Sequence, residues 1–318
     1  MFELYKSYKL CQHLFKKHSK SYYLGAMLFP FHIFKHICAF YGFVRTIDSI
    51  VDNTTLSLNT KIVVLNTLES KFFNMYDTGI IEKSYDIEVY PALMNTITEL
   101  NIPRDIFERF FKSMKLDLEQ YQYTTYEELE TYMDGSAGIV GETMLIIMSH
   151  NNPYYNGKLN ELKPYAQKLG YSFQLTNFIR DIKEDYAMTP SRIYIPQHEL
   201  KEHSIDLSLY TISACVDDTF RKCIDFQIKR NNELYAYSQI GIDKLHPNHQ
   251  QAIHISKILY SGILDYIKYY NYELFGPKIK IGFYAKLSII KQHLSFFQYI
   301  QVFIHYFLYS YFMFLYFL

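Results

Sequence analysis

Two pairs of aspartates, each pair four positions apart in a largely apolar stretch, place the strongest constraint on this chain. The pairs are Asp48 with Asp52 and Asp181 with Asp185. In a helix, residues four apart project from one face, so each pair stacks two carboxylates that repel each other. A divalent cation reverses that repulsion, and Mg²⁺ is commonly held by one or two carboxylates together with substrate phosphates. The spacing therefore predicts two helices that bind a phosphorylated substrate through metal.

The residues around the two pairs strengthen this interpretation. A single pair of this kind is typical of an ordinary solvated helix face. Here an arginine precedes each pair, Arg45 before the first and Arg180 before the second. Asn177 lies one helical turn before Asp181 on the same stripe. Two such helices that face each other across a cavity could grip one diphosphate through several metal ions.

Composition excludes some classes of protein. The chain has 318 residues, with 32 Lys plus Arg against 32 Asp plus Glu, so no basic surface for nucleic acid is expected. The four cysteines have no metal-site spacing, which favours a reducing compartment without disulfides. The N-terminal residues carry charges where a signal peptide needs an apolar run. We therefore expect a cytoplasmic protein.

Apolar residues recur at helical spacing along the chain, and no strand-rich region or repeat is evident, which predicts an all-α fold. Residues 192–196 are expected to be extended. Within the helix from 103 to 121, Asp117 is interpreted as a solvated carboxylate and Tyr121 as a packed ring. The predicted helices cover 4–17, 30–52, 59–76, 91–100, 103–121, a segment from 125 through 142, 165–185, 210–240 and 249–272.

Two short segments leave alternatives open. The polar cluster from 18 to 22 could bind phosphate or could cap the next helix. The second segment, 132–142, contains Gly135, Gly138 and Gly141 within a predicted helix. Each such glycine costs about 1 kcal/mol relative to alanine. Either a close contact between helices or a smooth groove for a long ligand would explain them.

The C-terminal end of the sequence is strongly apolar. Residues 292–318 contain no Asp, Glu, Lys or Arg, and from 302 onward they are nearly continuous Phe, Tyr, Leu and Ile. A span of about 20 apolar residues can cross a bilayer, and the many tyrosines suit an interface. We expect a catalytic domain over 1–290 and a tail over 291–318 that associates with a membrane. A helix packed on the domain or in an oligomer interface is the alternative.

Five segments of the chain form a recognisable combination. In order, they are His18-Ser-Lys-Ser-Tyr22, Tyr41-Gly-Phe-Val-Arg45 with Asp48-Ser-Ile-Val-Asp52, Asp117-Leu118, Tyr132 through Gly141, and Gln174 through Asp185 followed by Arg192-Ile-Tyr194-Ile-Pro196. Together they resemble the squalene and phytoene synthase family of head-to-head prenyl transferases, and the two aspartate motifs are the most specific part of the resemblance. The similarity spans roughly residues 1–290 and is closest to the short bacterial dehydrosqualene and phytoene synthases.

The resemblance implies a single-domain helical bundle of the isoprenoid synthase type around a central cavity, with Mg²⁺ or alternatively Mn²⁺ as cofactor. The implied reaction joins two allylic prenyl diphosphates through a cyclopropyl diphosphate. It gives phytoene from geranylgeranyl diphosphate or dehydrosqualene from farnesyl diphosphate, the first step of carotenoid or triterpenoid synthesis. The oligomeric state stays open.

The resemblance also implies roles for individual residues. The expected catalytic residues are Asp48, Asp52, Tyr132, Asp181 and Asp185. The expected metal ligands are Asp48, Asp52, Asn177, Asp181 and Asp185. The expected substrate-binding residues are His18, Lys20, Tyr41, Arg45, Gln174, Asn177, Arg180 and Tyr260. The late lysines Lys278, Lys280 and Lys286 fall where the family keeps basic residues.

The chain departs from the family pattern at two positions: Ser49 replaces an aspartate, and Asp134 replaces the second aromatic of a Tyr-Cys-Tyr segment. Small residues at Gly25, Ala26 and Cys38, beside Asp48, favour the longer C20 substrate. The alternatives are a squalene synthase, which would need NADPH, a non-catalytic membrane-associated relative that acts as an assembly factor, and a terpene cyclase of similar fold.

Overall fold

The computed structural model describes residues 2–81 and 88–294 of the chain. Within these ranges the backbone is helical, and the only β pairing is one isolated bridge between Gln122 and Ile193. The all-α prediction is confirmed. The helices are α1 (Phe2–His18), α2 (Lys20–Ala26), α3 (Phe31–Val51), α4 (Leu58–Thr78), α5 (Tyr90–Leu100), α6 (Arg104–Glu119), α7 (Tyr126–Met133), a π-helix (Asp134–Gly138), α8 (Ile139–Ser149), a 3₁₀ turn (Pro153–Tyr155), α9 (Leu159–Arg180), α10 (Ile182–Tyr186), α11 (Gln197–Glu202), α12 (Leu207–Ser213), α13 (Asp218–Asp243), α14 (Pro247–Tyr269) and α15 (Phe283–His293).

Aromatic packing fixes α3, the helix that carries the first aspartate pair. Phe43 is fully buried at its centre. The Phe43 ring lies 5.4 Å from the Phe72 ring of α4 and 5.1 Å from the Phe110 ring of α6. Such ring pairs contribute about 0.5–1.5 kcal/mol each beyond the area that they bury. Some of the chain's many aromatic residues therefore pack in the hydrophobic core.

Helix α9, which leads to the second pair, is held by buried polar contacts with α13. The fully buried Asn231 donates to the Ser172 carbonyl at 3.0 Å and to the Thr176 hydroxyl at 2.9 Å. The Thr176 hydroxyl also pairs with the Tyr235 hydroxyl at 2.9 Å. Because buried polar groups are costly when unpaired, these bonds fix the rotation of α9 about its axis.

The predicted helix from 165 to 185 is wrong at both ends. Helix α9 begins at Leu159 and includes Pro164, so it starts six residues before the predicted helix. It ends at Arg180, and Asp181 leaves helical geometry with φ −102° and ψ 15° before α10 begins. The Arg180 guanidinium donates two hydrogen bonds of 2.6 Å each to the Asp181 carboxylate. Adjacent residues do not face each other on a regular helix, so this contact accompanies a break there.

The glycine-rich segment lies where helices approach each other closely. A Cβ on Gly135 would lie 2.1 Å from the Arg109 carbonyl oxygen of α6, and one on Gly141 would lie 1.9 Å from the Ala166 carbonyl oxygen of α9. No Cβ atom tolerates such distances from a backbone atom. The structure therefore favours close helix contact, the first of the two explanations for these glycines.

We expect the Gly141→Ala substitution to lower the free energy of unfolding by about 3 kcal/mol, because overpacking against backbone forces the helices apart. Gly282→Ala is the matched control, since a Cβ at Gly282 meets no atom within 4 Å. That control should cost less than about 1 kcal/mol. Chemical denaturation of both variants measures the difference, and equal stabilities would contradict the close contact.

Buried histidines predict how stability depends on pH. His249 is buried, and its Nδ1 lies 2.8 Å from the Tyr155 hydroxyl. Burial, with His246 and His32 nearby, lowers the pKa of His249 to about 4. Between pH 4 and the ordinary value of about 6.5, the unfolded chain therefore binds more protons than the folded one. The contribution of His249 to the free energy of unfolding should therefore be full above pH 6.5 and should be lost as the pH drops towards 4, while Asp48 and Asp185, whose pKa values are raised, contribute with the opposite sign.

The His249→Asn substitution should remove up to about 1.4 kcal/mol per pH unit from that slope. Denaturation curves at several pH values between 4 and 7 measure it. His13→Asn, at an exposed position of α1, is the control and should keep the wild-type slope. A slope unchanged by His249→Asn would contradict the assignment.

Most of the predicted tail, residues 295–318, lies outside the described residues. Among the residues that the structure describes, no helix is both long and apolar enough to cross a membrane.

Candidate active site

The first aspartate pair lies at the C-terminal end of α3. Asp52 caps this helix, and its backbone N–H donates to the Asp48 carbonyl at 2.8 Å, so the two carboxylates stay one turn apart. Burial, followed by repulsion from Asp52, raises the pKa of Asp48 to about 7. The two carboxylates repel each other, and a bound cation would offset that repulsion.

The second pair straddles the break between α9 and α10. The Asp185 backbone N–H donates to the Asp181 carbonyl at 2.9 Å, which keeps these residues one turn apart despite the break. Burial and then the Asp181 charge raise the pKa of Asp185 to about 8. Asp181 itself is neutralised by Arg180 and by Lys278, whose Nζ lies 2.8 Å from its Oδ1.

Arg192 joins the two pairs into one site. Its Nη1 lies 2.8 Å from Asp52 Oδ1 and 3.6 Å from Asp117 Oδ2, while its backbone N–H donates to the Asp185 carbonyl at 2.9 Å. The Asp52 charge also contributes to the raised pKa of Asp185. The structure therefore brings together the two motifs that lie more than 120 residues apart in the sequence.

The donor set fits a hard divalent cation. Asn177 Oδ1, one turn before Asp181, is buried without a hydrogen-bond partner among the described residues. A buried oxygen left unpaired costs free energy that a metal ligand bond would recover. Over residues 2–81 and 88–294, no three His, Cys, Asp or Glu side chains form a preassembled cluster. Two carboxylates on each side and the Asn177 amide on the second side, completed by phosphate oxygens, match the ligands that Mg²⁺ prefers.

Basic side chains from three parts of the chain converge beside the second pair. Burial and then Lys20, Arg180 and Lys280 lower the pKa of Lys286, so these cations lie close together. Like charges gathered in this way favour an anionic ligand such as a diphosphate. Arg45 belongs to the same site on α3, and its Nε is buried without a partner in the described structure.

The remaining predicted substrate-binding residues surround this cluster. The Tyr260 ring stacks on the Tyr22 ring at 4.1 Å, and its phenol lies within reach of Arg180. The Tyr41 ring stacks on the Phe15 ring at 4.2 Å. His18 ends α1, where partial burial and then Arg45 lower its pKa. Gln174 lies one turn before Asn177 on the same face of α9.

Tyr132 lies in an aromatic wall next to the aspartate motifs. It is buried, and its ring centroid lies 5.9 Å from the Tyr194 ring and 6.4 Å from the Phe178 ring. Phe178 and Tyr194 stack face to face at 3.8 Å. The Tyr194 hydroxyl donates to Asp117 Oδ1 at 3.1 Å. The wall thus combines aromatic faces, which stabilise positive charge, with a link to the acidic site.

The interpretation of Asp117 as a solvated carboxylate is wrong. Its side chain is 9% exposed, and burial raises its pKa to about 6 despite the Arg192 charge. Sequence reasoning could have found it, because Asp117 lies three residues after Met114 on the apolar stripe of α6. Likewise Arg192 and Tyr194, alternate residues of an extended segment, point to one side and both reach Asp117.

One groove of about 470 Å³ lies between α6, α7, the π turn and α9, and another of about 340 Å³ lies between α4 and α6. Charged residues such as Lys112 line both, and neither contains an aspartate of the two pairs. Their polar walls do not suit a prenyl chain, so we do not assign the substrate to them.

Comparison with known proteins identifies the family. The squalene/phytoene synthase family matches residues 15–285. A phytoene synthase of Arthrospira platensis is 29% identical over 294 residues, which cover 89% of this chain and 91% of that protein. A 15-cis-phytoene synthase of Synechococcus elongatus is 28% identical over 290 residues, with the same two coverages.

Solved structures agree in fold. A dehydrosqualene synthase in complex with a ligand superposes with a TM-score of 0.80 at 23% identity, over 92% of this chain and 96% of that one. A squalene synthase from Alicyclobacillus acidocaldarius gives a TM-score of 0.72 at 22% identity, over 86% and 97% of the two chains. The chain belongs to the squalene/phytoene synthase family of prenyltransferases. The predicted resemblance, fold class and enzyme class are confirmed.

Proposed function

We propose that this chain joins two identical allylic prenyl diphosphates head to head, through a cyclopropyl diphosphate, and prefers the C20 geranylgeranyl diphosphate, which gives phytoene. The observation that carries the proposal is the convergence of both aspartate pairs with a set of basic side chains at one place. The relatives named phytoene synthase support the same reaction. Dehydrosqualene formation from the C15 substrate is the second candidate.

Each group at the site has a task in this reaction. Mg²⁺, or Mn²⁺ in its place, would be held by Asp48, Asp52, Asn177, Asp181 and Asp185 and would neutralise the leaving diphosphate. Arg45, Arg180 and Lys286 orient the diphosphate through charge-assisted hydrogen bonds. The rings of Tyr132, Phe178 and Tyr194 offer π faces to an allylic cation and exclude water without supplying a nucleophile.

The C20 preference rests on Ala26 and Cys38, which are both small and buried. Gly25 no longer contributes to it, because a Cβ there would lie 2.1 Å from Ser256 Oγ of α14. Packing between α2 and α14 is sufficient to explain that glycine. We expect room for the longer chain beside α3.

Product analysis of the purified chain with Mg²⁺ and either the C15 or the C20 diphosphate tests this proposal. We expect a C40 hydrocarbon from the C20 substrate and no change on adding NADPH. Preference for C15 alone would contradict the C20 assignment, and a reduced C30 product that needs NADPH would indicate a squalene synthase. Failure with every common prenyl diphosphate would favour a non-catalytic assembly factor.

We also propose that the apolar stretch 295–318 binds a membrane surface, which would suit a water-insoluble hydrocarbon product. The sequence supports this by its lack of charge and its many tyrosines. Flotation of the full chain with lipid vesicles should bring it to the top of a gradient, whereas a chain truncated after residue 294 should stay below. Equal flotation of the two would contradict the proposal and leave packing or oligomerisation as the role of this stretch.

A further inference from the structure

Helix α7, which carries Tyr132, ends at Met133 and is followed at once by a π-helical turn. The turn spans Asp134–Gly138, between α7 and α8. A π turn holds an extra residue, and such turns are frequent at functional sites. The Tyr132 carbonyl accepts hydrogen bonds from the Ser113 hydroxyl at 2.9 Å and the Ser136 hydroxyl at 3.2 Å. The backbone of Tyr132 is therefore tied both to α6 and to the turn itself.

Arg109 of α6 binds one carboxylate at the start of this turn and a second one on α8, which follows the turn. Arg109 Nη1 lies 3.2 Å from Asp134 Oδ1, at the start of the turn. The same guanidinium contacts Glu142 on α8, with Nη1 2.6 Å from Oε1 and Nη2 2.9 Å from Oε2. Glu142 is almost fully buried and is also held by Gln167 of α9 at 2.7 Å. We call Arg109, Asp134 and Glu142 the arginine clamp.

The clamp touches the aromatic wall. The Tyr171 hydroxyl donates to Asp134 Oδ1 at 3.3 Å, and the Tyr171 side chain belongs to the same buried cluster as Tyr132, Phe178 and Tyr194. Asp134 stands where the family pattern has an aromatic residue, and an aromatic side chain there could not form the salt bridge with Arg109. The clamp is thus a feature of this chain.

Loss of the extra residue in the turn would change the direction of Tyr132. Each residue of an α-helix rotates the chain by about 100°, so conversion of the π turn to regular helix would swing α7 by about that angle relative to α8. Tyr132 would then leave the stack with Phe178 and Tyr194. Charge-assisted bonds to both sides of the turn oppose this conversion.

We propose that the arginine clamp positions the Tyr132 ring for the condensation, so that Arg109 and Asp134 are positioning residues for the reaction. This inference rests on the proposed function, in which Tyr132 borders the reacting cation. In the part of the chain that the structure describes, no hydrogen bond or ion pair joins the clamp to Arg45, Arg180 or Lys286. Loss of the clamp should therefore leave substrate binding intact and impair the chemical steps.

Asp134→Asn tests the proposal, with Asp105→Asn as the matched control. Both substitutions remove one carboxylate from Arg109, but Asp105 is on α6 itself, is exposed and does not touch the π turn. For Asp134→Asn we expect kcat to fall about 10-fold or more with KM nearly unchanged, since small misplacements at a reacting centre are costly. More cyclopropyl diphosphate should be released per hydrocarbon formed. Asp105→Asn should behave as the wild type.

Ser113→Ala provides an independent route, because it removes a donor to the Tyr132 carbonyl without changing any charge. It should produce the same split between kcat and KM. A lower melting temperature for Asp134→Asn with unchanged kcat and product ratio would overturn the proposal and leave the clamp a purely structural element. If the wild type forms no condensation product, the proposed function fails first, and the inference fails with it.

Discussion

Replacing Asp185 with asparagine is expected to lower kcat on the order of 10²–10³-fold without unfolding the protein. The loss follows because Asp185 would hold a cation against the leaving diphosphate, and removal of one such stabilising group typically costs this much. Stability should move in the opposite direction. Burial and repulsion from Asp181 raise the pKa of Asp185 to about 8, so the buried carboxylate opposes folding at neutral pH. Without metal, Asp185→Asn should unfold at the same or a higher temperature.

The matched control for this experiment is Glu184→Gln. Glu184 precedes Asp185 in α10, its side chain is 45% exposed, and the substitution changes the net charge equally. It should retain activity close to that of the wild type. Thermal unfolding with Mg²⁺ and inorganic diphosphate adds a readout independent of turnover: the ligands should raise the melting temperature of the wild type and of Glu184→Gln, and that of Asp185→Asn much less. Equal activity in both variants would contradict the metal assignment.

Replacing Arg192 with methionine is expected to cost about 3–5 kcal/mol of unfolding free energy and most of the activity. Arg192 is nearly buried and neutralises both Asp117 and Asp52. Its removal leaves the Asp117 carboxylate buried without a counter-charge. A buried charge that loses its partner strongly destabilises the folded state. The activity should fall because Asp52 loses the side-chain contact that ties the first aspartate pair to the segment after the second pair, although the backbone bond from residue 192 to Asp185 remains.

Arg104→Met is the control for this second prediction. Arg104 pairs with Asp77 and Glu108 on the surface, where all three side chains are well exposed and water screens the charges, so its loss should have little effect on stability. Adding Asp117→Asn to Arg192→Met should recover part of the lost stability, because the unpaired charge is then gone. A double variant as unstable as the sum of the single variants would show that the two residues do not interact.

Local periodicity sufficed for the position of the two aspartate motifs. Asp48 and Asp52 were predicted as one face of one helix, and α3 presents them in that way. The second motif shows the limit of this reasoning. The break at Asp181 accompanies the bidentate contact with Arg180, which adjacent residues of a regular helix cannot form. A prediction from apolar spacing alone therefore continues the helix past Asp181.

Contacts between distant segments were harder to foresee. Asp117 looked solvated because its partners, Arg192 and Tyr194, lie some 75 residues later. Burial of a carboxylate is favourable only with such partners, and the pattern of one helix does not reveal them. Similarly, the sequence shows Asp134 only as a departure from the family pattern. In the structure its carboxylate binds Arg109 and Tyr171 and is part of the arginine clamp.

The most direct test of the central claim is whether two substrate molecules end up in one product. The purified chain is incubated with Mg²⁺ and an equal mixture of unlabelled and fully deuterated geranylgeranyl diphosphate, and the hydrocarbon is analysed by mass. Head-to-head condensation predicts products with no, one and two labelled halves, the mixed product being about twice as abundant as either of the others. Products that contain a single prenyl unit, all labelled or all unlabelled, would contradict the account and indicate a terpene cyclase instead.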